Sequence, residues 1–188
     1  MAVEVELKAW VQNPAHIRER LQQLGTPHRR YIKEDRYFGF GSTPEDARYR
    51  LRVDDTRWTC TFKQKTIRDG IEENHETEFD VSDGPAFEAF LASLGLRCIV
   101  TKRKEGESFR VDDVLAELSY VDHVGWFVEL EVMLAEESRA SAVADARTAL
   151  QNLLQQLGLS ADSIESRSYN QMIYEATSPE QIVSSDSV

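Results

Sequence analysis

The sequence predicts an α+β protein in which eight antiparallel strands curl into a closed β-barrel, with helices packed outside. Three observations predict it. Segments of alternating polar and apolar residues are separated by turn-prone residues, which is typical of an antiparallel meander. Helical segments interrupt the strands without a convincing domain boundary. Six strand segments carry charges at alternate positions and apolar residues between them, which predicts one charged face and one apolar face.

The first strand, predicted at about residues 2 to 9, carries this pattern beside the N-terminus. Glu4, Glu6 and Lys8 share one face because residues two apart in a strand point the same way, and aliphatic residues occupy the other face. For a single strand, the ordinary explanation of such a face is contact with solvent. The remaining strands must decide between solvent and a charged interior.

Seven further strands are predicted from the same alternation. Turn-prone segments, among them residues 39–44, Asp54-Asp55-Thr56 and Arg68-Asp69-Gly70, separate the first of these strands. A break at Asp112-Asp113 is expected within one of the later strands. The predicted strands span about residues 28–38, 47–53, 57–65, 71–80, 97–104, 107–119 and 124–133.

Four helices are predicted. The first begins near Asn13-Pro14, because Asn is a good N-cap and proline suits the first helical position. The second follows residues 82–85, the third covers about residues 137–157, and the fourth includes residues 164–174. Two roles stay open for the third helix: it covers the barrel, or it forms a homodimer contact.

The domain organisation is expected to be simple. Residues 1–175 are predicted to form a single domain. Residues 176–188 are predicted to be a disordered tail, since they are rich in Ser and acidic residues.

Charge and hydrophobicity limit the function classes. The net charge of -11 over 188 residues argues against a general nucleic-acid binder, which normally carries a basic surface. No apolar run reaches the roughly 18 residues of a membrane helix, and the N-terminus lacks the features of a signal peptide. We therefore expect a cytoplasmic protein with no nucleic-acid and no membrane partner. Basic residues nevertheless concentrate in the predicted strands, which indicates a local anion site.

A polar barrel interior explains the charged strand faces together. Like charges on one strand repel each other unless opposite charges lie among them. A barrel that places basic and acidic strands around one cavity meets this requirement. The charged faces consist of Glu4, Glu6 and Lys8; Arg48, Arg50 and Arg52; Lys63 and Lys65; Glu76 and Glu78; Lys102 and Lys104; and Glu129 and Glu131.

This mixture of charges suits a polyphosphate and divalent cations. Arginine matches phosphate oxygens with a planar fork, and lysine supplies a compact positive charge. Carboxylates bind Mg²⁺ or Mn²⁺, which in turn bridge to phosphate oxygens. The sequence contains no Gly-x-x-x-x-Gly-Lys-Ser/Thr loop, so we expect side chains to recognise the phosphates.

The motifs also resemble a known family. Glu4-Val5-Glu6-Leu7-Lys8 fits the Glu-x-Glu-x-Lys signature of the CYTH domains, or triphosphate tunnel metalloenzymes. These include class IV adenylyl cyclases, thiamine triphosphatases and inorganic triphosphatases, and the resemblance implies their tunnel fold over about residues 4 to 172. The further matches, in chain order, are Asp35-Arg36-Tyr37-Phe38, Arg50-Leu51-Arg52, Thr61-Phe62-Lys63, Glu76-Thr77-Glu78, residues 124–131 and Arg167-Ser168-Tyr169.

The resemblance implies a role for each charged face. Lys8 and Glu6 are implied as catalytic residues, and Glu76 and Glu78 as residues that assist the metal ligands. The implied ligands of one or two Mg²⁺ or Mn²⁺ ions are Glu4, Glu6, Glu129 and Glu131. The implied triphosphate-binding residues are Lys8, Arg50, Arg52, Lys63, Lys65, Lys102 and Lys104.

Two positions depart from the family pattern. Ser119 stands where the family usually has an aspartate, so an acidic group is missing or is supplied by Asp113 or Asp122. The family's Lys-x-Arg strand reads Lys102-Arg103-Lys104, and strand parity favours Lys104 over Arg103 as the inward residue.

Three functions follow from these expectations. The first is a class IV adenylyl cyclase that converts ATP to cyclic AMP and pyrophosphate, which the Asp35–Phe38 stretch and the Ser168-Tyr169 match favour. The second is hydrolysis of inorganic tripolyphosphate or thiamine triphosphate. The third is a module that binds a phosphorylated metabolite without turnover.

Overall fold

The computed structural model describes residues 2–68, 71–135 and 140–178. Within these ranges, it describes only the backbone of residues 2, 63–66, 68 and 75. Most of the predicted tail lies outside the described residues. The strands are β1 (Ala2–Trp10), β2 (Thr26–Gly39), β3 (Tyr49–Asp54), β4 (Arg57–Arg68), β5 (Ile71–Val81), β6 (Arg97–Val111), β7 (Val114–Val121) and β8 (Gly125–Ala135). The helices are α1 (Pro14–Leu24), α2 (Gly84–Ser93), α3 (Ala140–Gln156) and α4 (Tyr169–Thr177).

The strands form a closed antiparallel barrel in the order β1-β5-β4-β3-β2-β6-β7-β8, and β8 pairs again with β1. Eight is enough strands to close a sheet around an interior that side chains or one small ligand can fill. Closure removes the free sheet edges at which other chains could pair. The predicted α+β barrel is therefore confirmed.

The apolar strand faces point outward and pack under helices. Val5 and Leu7 of β1 are fully buried in one cluster with apolar residues of α1 and α3. Leu150 and Leu153 of α3 belong to the same cluster, so the third helix covers the barrel. Helix α2 packs against the opposite side of the barrel through Leu91.

Local signals fix where the helices begin. Asn13 caps α1, since its side chain accepts a hydrogen bond from the His16 amide at 3.2 Å. Asp83 caps α2 in the same way, accepting from the Ala86 amide at 3.0 Å. Both helices also have proline in the first turn, as the sequence predicts.

Helix α4 sits at one end of the barrel interior. Its residues Tyr169, Met172 and Ile173 are buried against Phe127 of β8 and Val100 of β6. Phe127 lies two residues from Glu129 and Val100 two residues from Lys102, so these contacts are made on the inward faces of their strands. The helix therefore closes part of the space that the charged residues surround.

Two predicted element boundaries were wrong. The strands predicted at residues 97–104 and 107–119 are instead β6, which continues through Gly106, and β7. The break predicted at Asp112-Asp113 is confirmed as the turn between them, and Asp112 there has a positive φ of 50°. The fourth helix begins at Tyr169 and not near residue 164 as predicted. Residues 161–163 form a separate 3₁₀ turn before it.

In the part of the chain that the structure describes, no helix has the length and apolar character needed to cross a membrane.

Candidate active site in the barrel interior

A cavity of about 690 Å³ occupies the barrel interior. The residues that line it come from most strands of the barrel and from the start of α4. Nine predicted site residues line this one cavity: Glu4, Glu6, Lys8, Arg50, Arg52, Lys102, Lys104, Glu129 and Glu131. Glu76 and Glu78 of β5, the predicted assisting residues, are not among the residues that line it.

The two remaining predicted residues, Lys63 and Lys65, lie on β4. Their backbones pair with Glu76 and Asn74 of β5, respectively. Their side chains are outside the described part of the structure, so their roles stay predictions. Thr61, two residues before Lys63, lines the cavity.

A buried carboxylate, Asp35, anchors the first ion cluster. It accepts two hydrogen bonds from Arg52, at 2.6 and 2.9 Å, and its Oδ2 lies 2.9 Å from the Lys102 ammonium. The Tyr37 hydroxyl donates to the same carboxylate at 3.2 Å. Burial alone would raise the pKa of Asp35, but Arg52 and Lys102 outweigh it and hold this pKa well below its ordinary value.

Glu117 anchors the second cluster. It accepts from Lys33 and from Lys104, both at 2.6 Å, and Lys104 also donates to Glu129. Burial alone would raise the pKa of Glu117, but Lys104 and Lys33 outweigh it and lower this pKa. In Lys33 the effect of burial prevails and lowers the pKa to about 8. The cluster therefore holds two lysines and two glutamates, one from each of the four adjacent strands β2, β6, β7 and β8.

Arg50 forms a third, smaller cluster. Its guanidinium donates to the Thr61 hydroxyl at 2.9 Å, and that hydroxyl donates to Glu78 at 2.9 Å. The Nε of Arg50 is buried and has no hydrogen-bond partner among the described residues. A donor of this kind facing a cavity is expected where an anion binds.

Lys8 is held by the segment just before α4 and by the first residue of that helix. The Lys8 ammonium donates to the Arg167 carbonyl at 2.5 Å and lies 4.5 Å from the centre of the Tyr169 ring. Glu165 secures this segment, because it accepts from the Trp10 indole at 3.0 Å and from Arg167. The predicted catalytic lysine is thus oriented by residues from the far end of the chain.

The strand register brings three carboxylates side by side. Glu6 pairs with Glu131 on β8 and with Glu72 on β5. Neighbouring carboxylates on one face need cations among them, either lysines or metal ions. Over the described ranges, no three His, Cys, Asp or Glu side chains already converge closely enough to hold a metal. The all-oxygen donors fit Mg²⁺ and Mn²⁺ in chemistry, and the metal itself stays a prediction.

The structure resolves both departures from the family pattern. Lys104 is buried and lines the cavity, whereas Arg103 faces outward and pairs with Glu105 and Asp122. Ser119 is fully buried, and its hydroxyl has no partner in the described part of the chain.

The acidic group expected from Asp113 or Asp122 is supplied by neither residue. Asp113 is exposed in the turn after β6, and Asp122 pairs with Arg103. On β7, the carboxylate that lines the cavity belongs to Glu117, which lies two residues before Ser119 on the same face of the strand.

Sequence reasoning missed several lining residues on strands that it had placed correctly. Lys33 lies two residues from Asp35, and Glu72 and Asn74 precede Glu76 at intervals of two on β5. The signal that could have found them is strand parity, extended from each matched motif along its whole strand. Glu117 would have been found in the same way from Ser119.

Comparisons with known proteins agree with this architecture. A Methanocaldococcus jannaschii protein named "Putative adenylate cyclase" is 26% identical over 173 residues, which cover 89% of this chain and 96% of that protein. A Pyrococcus horikoshii structure has a TM-score of 0.77 at 24% identity and covers 92% of this chain and 98% of its own. A Hippeastrum structure, described as a "Putative adenylyl cyclase" with a dominant triphosphatase activity, has a TM-score of 0.64 at 14% identity. It covers 93% of this chain and 94% of its own.

The fold and the cavity define a class of proteins: closed antiparallel barrels whose interior carries opposed basic and acidic strands. The chain belongs to the CYTH domain family, whose model matches residues 2–169.

Proposed function

We propose that the chain is a metal-dependent enzyme that binds the triphosphate chain of its substrate inside the barrel. One observation carries this proposal: four cations from three different strands, Lys8, Arg50, Arg52 and Lys102, line a single cavity. A polyphosphate is the small-molecule class that needs several positive groups arranged around one extended chain.

The carboxylates favour an enzyme over a module that only binds anions. Glu6, Glu72 and Glu131 lie in register on neighbouring strands of the same interior. Carboxylates repel phosphate, so they would weaken a site whose sole task was to hold an anion. They are explained if divalent cations accompany the substrate.

The described residues would divide the work as follows. Glu4, Glu6, Glu129 and Glu131 would hold one or two Mg²⁺ or Mn²⁺ ions. When bound, such an ion would lower the pKa of the attacking hydroxyl or water and stabilise charge on the phosphoryl oxygens. The arginines and lysines would orient the triphosphate chain of the substrate, and Lys8 would neutralise charge that develops during phosphoryl transfer.

ATP cyclisation is the first candidate reaction. The ribose 3'-hydroxyl would attack the α-phosphoryl group, and pyrophosphate would leave. The name of the Methanocaldococcus jannaschii relative supports this candidate, as do Ser168 and Tyr169 of the cyclase-like motif, which line the cavity.

Hydrolysis of a triphosphate is the second candidate. Water would attack the terminal phosphoryl group, the remaining diphosphate part of the substrate would leave, and the terminal group would be released as orthophosphate. Charged side chains dominate the lining, while the larger apolar surfaces that could hold a base are few among the described residues, chiefly Tyr37, Phe62 and Tyr169. The dominant triphosphatase activity described for the Hippeastrum protein agrees with this candidate.

One experiment separates these candidates. The protein is incubated with ATP, tripolyphosphate or thiamine triphosphate, each with Mg²⁺ or Mn²⁺, and cyclic AMP, pyrophosphate and orthophosphate are resolved. Cyclic AMP with pyrophosphate supports the cyclase, and orthophosphate without cyclic AMP supports the hydrolase. Binding without any product would contradict both reactions and leave the binding module.

A further inference from the structure

Tyr169 reaches into the barrel interior from the first position of α4. Its ring packs edge-on against Phe127, with ring centres 5.1 Å apart. The ammonium groups of Lys8 and Lys102 lie 4.5 and 4.8 Å from the ring centre. Packing and cation-π contacts therefore fix the ring without using its hydroxyl group.

The hydroxyl group of Tyr169 is buried and has no hydrogen-bond partner among the residues that the structure describes. Buried hydroxyls in folded proteins are nearly always hydrogen-bonded, because leaving one unpaired is unfavourable. Tyr169 lines the same cavity as Lys104 and Glu129. An unpaired donor in this position is expected where a ligand supplies the acceptor.

We propose that the Tyr169 hydroxyl is a substrate-binding donor that hydrogen-bonds a non-bridging oxygen of the polyphosphate chain. The inference rests on the proposed function and adds to it a residue outside the barrel strands. A phenol is protonated at neutral pH and donates one hydrogen bond, and phosphate oxygens are acceptors.

The position of Tyr169 in α4 supports this role. The N-terminal end of a helix carries partial positive charge, which favours an anion nearby. Ser168, Tyr169 and Asn170 at this end all line the cavity, and Ser168 caps the helix by accepting from the Gln171 amide. The same segment holds Lys8 through the Arg167 carbonyl. Helix α4 and the segment before it thus bring the Tyr169 hydroxyl donor and a helix N-terminus to one region of the interior. They also orient Lys8 of β1 in the same region.

The substitution Tyr169→Phe tests the inference, because it removes the hydroxyl and keeps the ring. Tripolyphosphate binding without metal is measured by calorimetry for the wild type, Tyr169→Phe and Arg50→Ala. Tyr174→Phe is the matched control, since Tyr174 lies on the same helix and is exposed. Thermal unfolding of each ligand-free variant is measured alongside.

We expect Tyr169→Phe to weaken tripolyphosphate binding by roughly tenfold, the effect of losing one hydrogen bond to a charged acceptor. Ligand-free Tyr169→Phe should unfold at the wild-type temperature or above it, because no protein partner is lost. Tyr174→Phe should match the wild type in both measurements.

The outcomes distinguish this inference from the proposed function. If Arg50→Ala weakens binding and Tyr169→Phe does not, the role of Tyr169 is overturned and the polyphosphate site stands. If ligand-free Tyr169→Phe is clearly destabilised, the hydroxyl serves the fold, which also overturns the inference. If the wild type binds only when Mg²⁺ is present, the same comparison of variants is made with Mg²⁺. If the wild type binds tripolyphosphate in neither condition, the proposed function itself fails, and the inference fails with it.

Discussion

Asp35 illustrates how a single buried residue organises the cavity. Its carboxylate is fully buried, and it holds Arg52 of β3 and Lys102 of β6, the two strands on either side of its own strand β2. Two cations this close would repel each other without it. Asp35 therefore positions two predicted substrate-binding groups, and these two cations neutralise its negative charge. The charge of Asp35 then does not offset the attraction between phosphate and Arg50 or the other cations.

The first prediction concerns the pH dependence of stability. The folded-state pKa of Asp35 lies well below its ordinary value of 3.8, so its stabilisation is present above that value and is lost as the pH falls toward the folded-state pKa. Asp35→Asn should lower the free energy of unfolding at pH 7 by about 3 to 5 kcal/mol, since it leaves buried cations uncompensated. Below about pH 4, this difference should shrink by up to about 1.4 kcal/mol per pH unit.

Urea unfolding at pH 7, 5, 4 and 3 checks this prediction. Asp113→Asn is the control, because Asp113 is an exposed residue in the turn between β6 and β7. A difference between wild type and Asp35→Asn that stays constant down to pH 3 would contradict the ionic origin of the effect.

The second prediction concerns Glu6, which lies between two other carboxylates in the register. Glu6→Gln keeps the size of the side chain and removes a charge that a divalent cation needs. We expect metal-dependent turnover to fall at least a hundredfold, as removal of metal or charge-stabilising groups does in other enzymes. The circular dichroism spectrum should be unchanged.

Turnover is measured over a range of Mn²⁺ concentrations. Glu34→Gln, an exposed residue of β2, should behave like the wild type. Full activity of Glu6→Gln at every Mn²⁺ concentration would remove Glu6 from the metal site.

At the scale of elements, helices α3 and α4 have different tasks. Leu150 and Leu153 of α3 are buried against the outside of the barrel, whereas Tyr169 and Met172 of α4 pack against residues of its inside. A change in α3 should therefore affect stability alone, and a change in α4 should also reach the cavity.

The third prediction tests this separation. Leu150 is fully buried, so Leu150→Ala should lower the free energy of unfolding by about 2 to 5 kcal/mol through lost packing and a cavity. The KM for the substrate should stay within about twofold of the wild type, because Leu150 lies on the outside. Gln151→Ala, at the exposed neighbouring position, should change neither quantity. A large change in KM for Leu150→Ala would show that α3 is coupled to the cavity.

The sequence predicted most of the elements because their signals are local. Alternation located the strands, and Asn13 and Asp83 marked the starts of two helices. The boundary predicted between residues 104 and 107 was wrong: β6 continues through Gly106, where the closely packed Leu118 and Ser119 of β7 leave no room for a side chain. Cross-strand packing of this kind is not a local signal.

The site was predictable where a motif marked it and not elsewhere. Glu6 and Arg52 belong to recognisable patterns, and parity then placed them on the inward face. Glu117 needed parity to be extended from Ser119 along β7, and the place of Tyr169 at the cavity became visible only when α4 was folded against the barrel. Their roles depend on register between distant segments, as in the pairing of Glu117 with Glu129.

At the scale of the whole molecule, the barrel separates two electrostatic environments. The chain carries a net charge of -11, which would disfavour the approach of a polyanion to an ordinary surface. In the interior, lysines and arginines face one another at short range. The dielectric constant there is lower than in water, which strengthens each electrostatic interaction. Affinity for an anion should therefore depend on how far it extends along the interior.

The fourth prediction follows from this extent. Orthophosphate, pyrophosphate and tripolyphosphate should raise the melting temperature in increasing order, because each added phosphate reaches cations from another strand. At a concentration of about 100 times its Kd, tripolyphosphate should stabilise the fold by about 2.7 kcal/mol. For a chain of this size, that corresponds to a rise of about 5 to 10 °C.

The measurement is thermal unfolding at constant ionic strength, with sulfate as the control anion. Sulfate and orthophosphate should give small shifts of similar size, since each contacts few of the cations at once. In Arg50→Ala the tripolyphosphate shift should decrease while the orthophosphate shift changes little. If all four anions stabilise the protein equally, the effect is a general influence of excluded salts on burial, and the interior is not a site built for a polyphosphate chain.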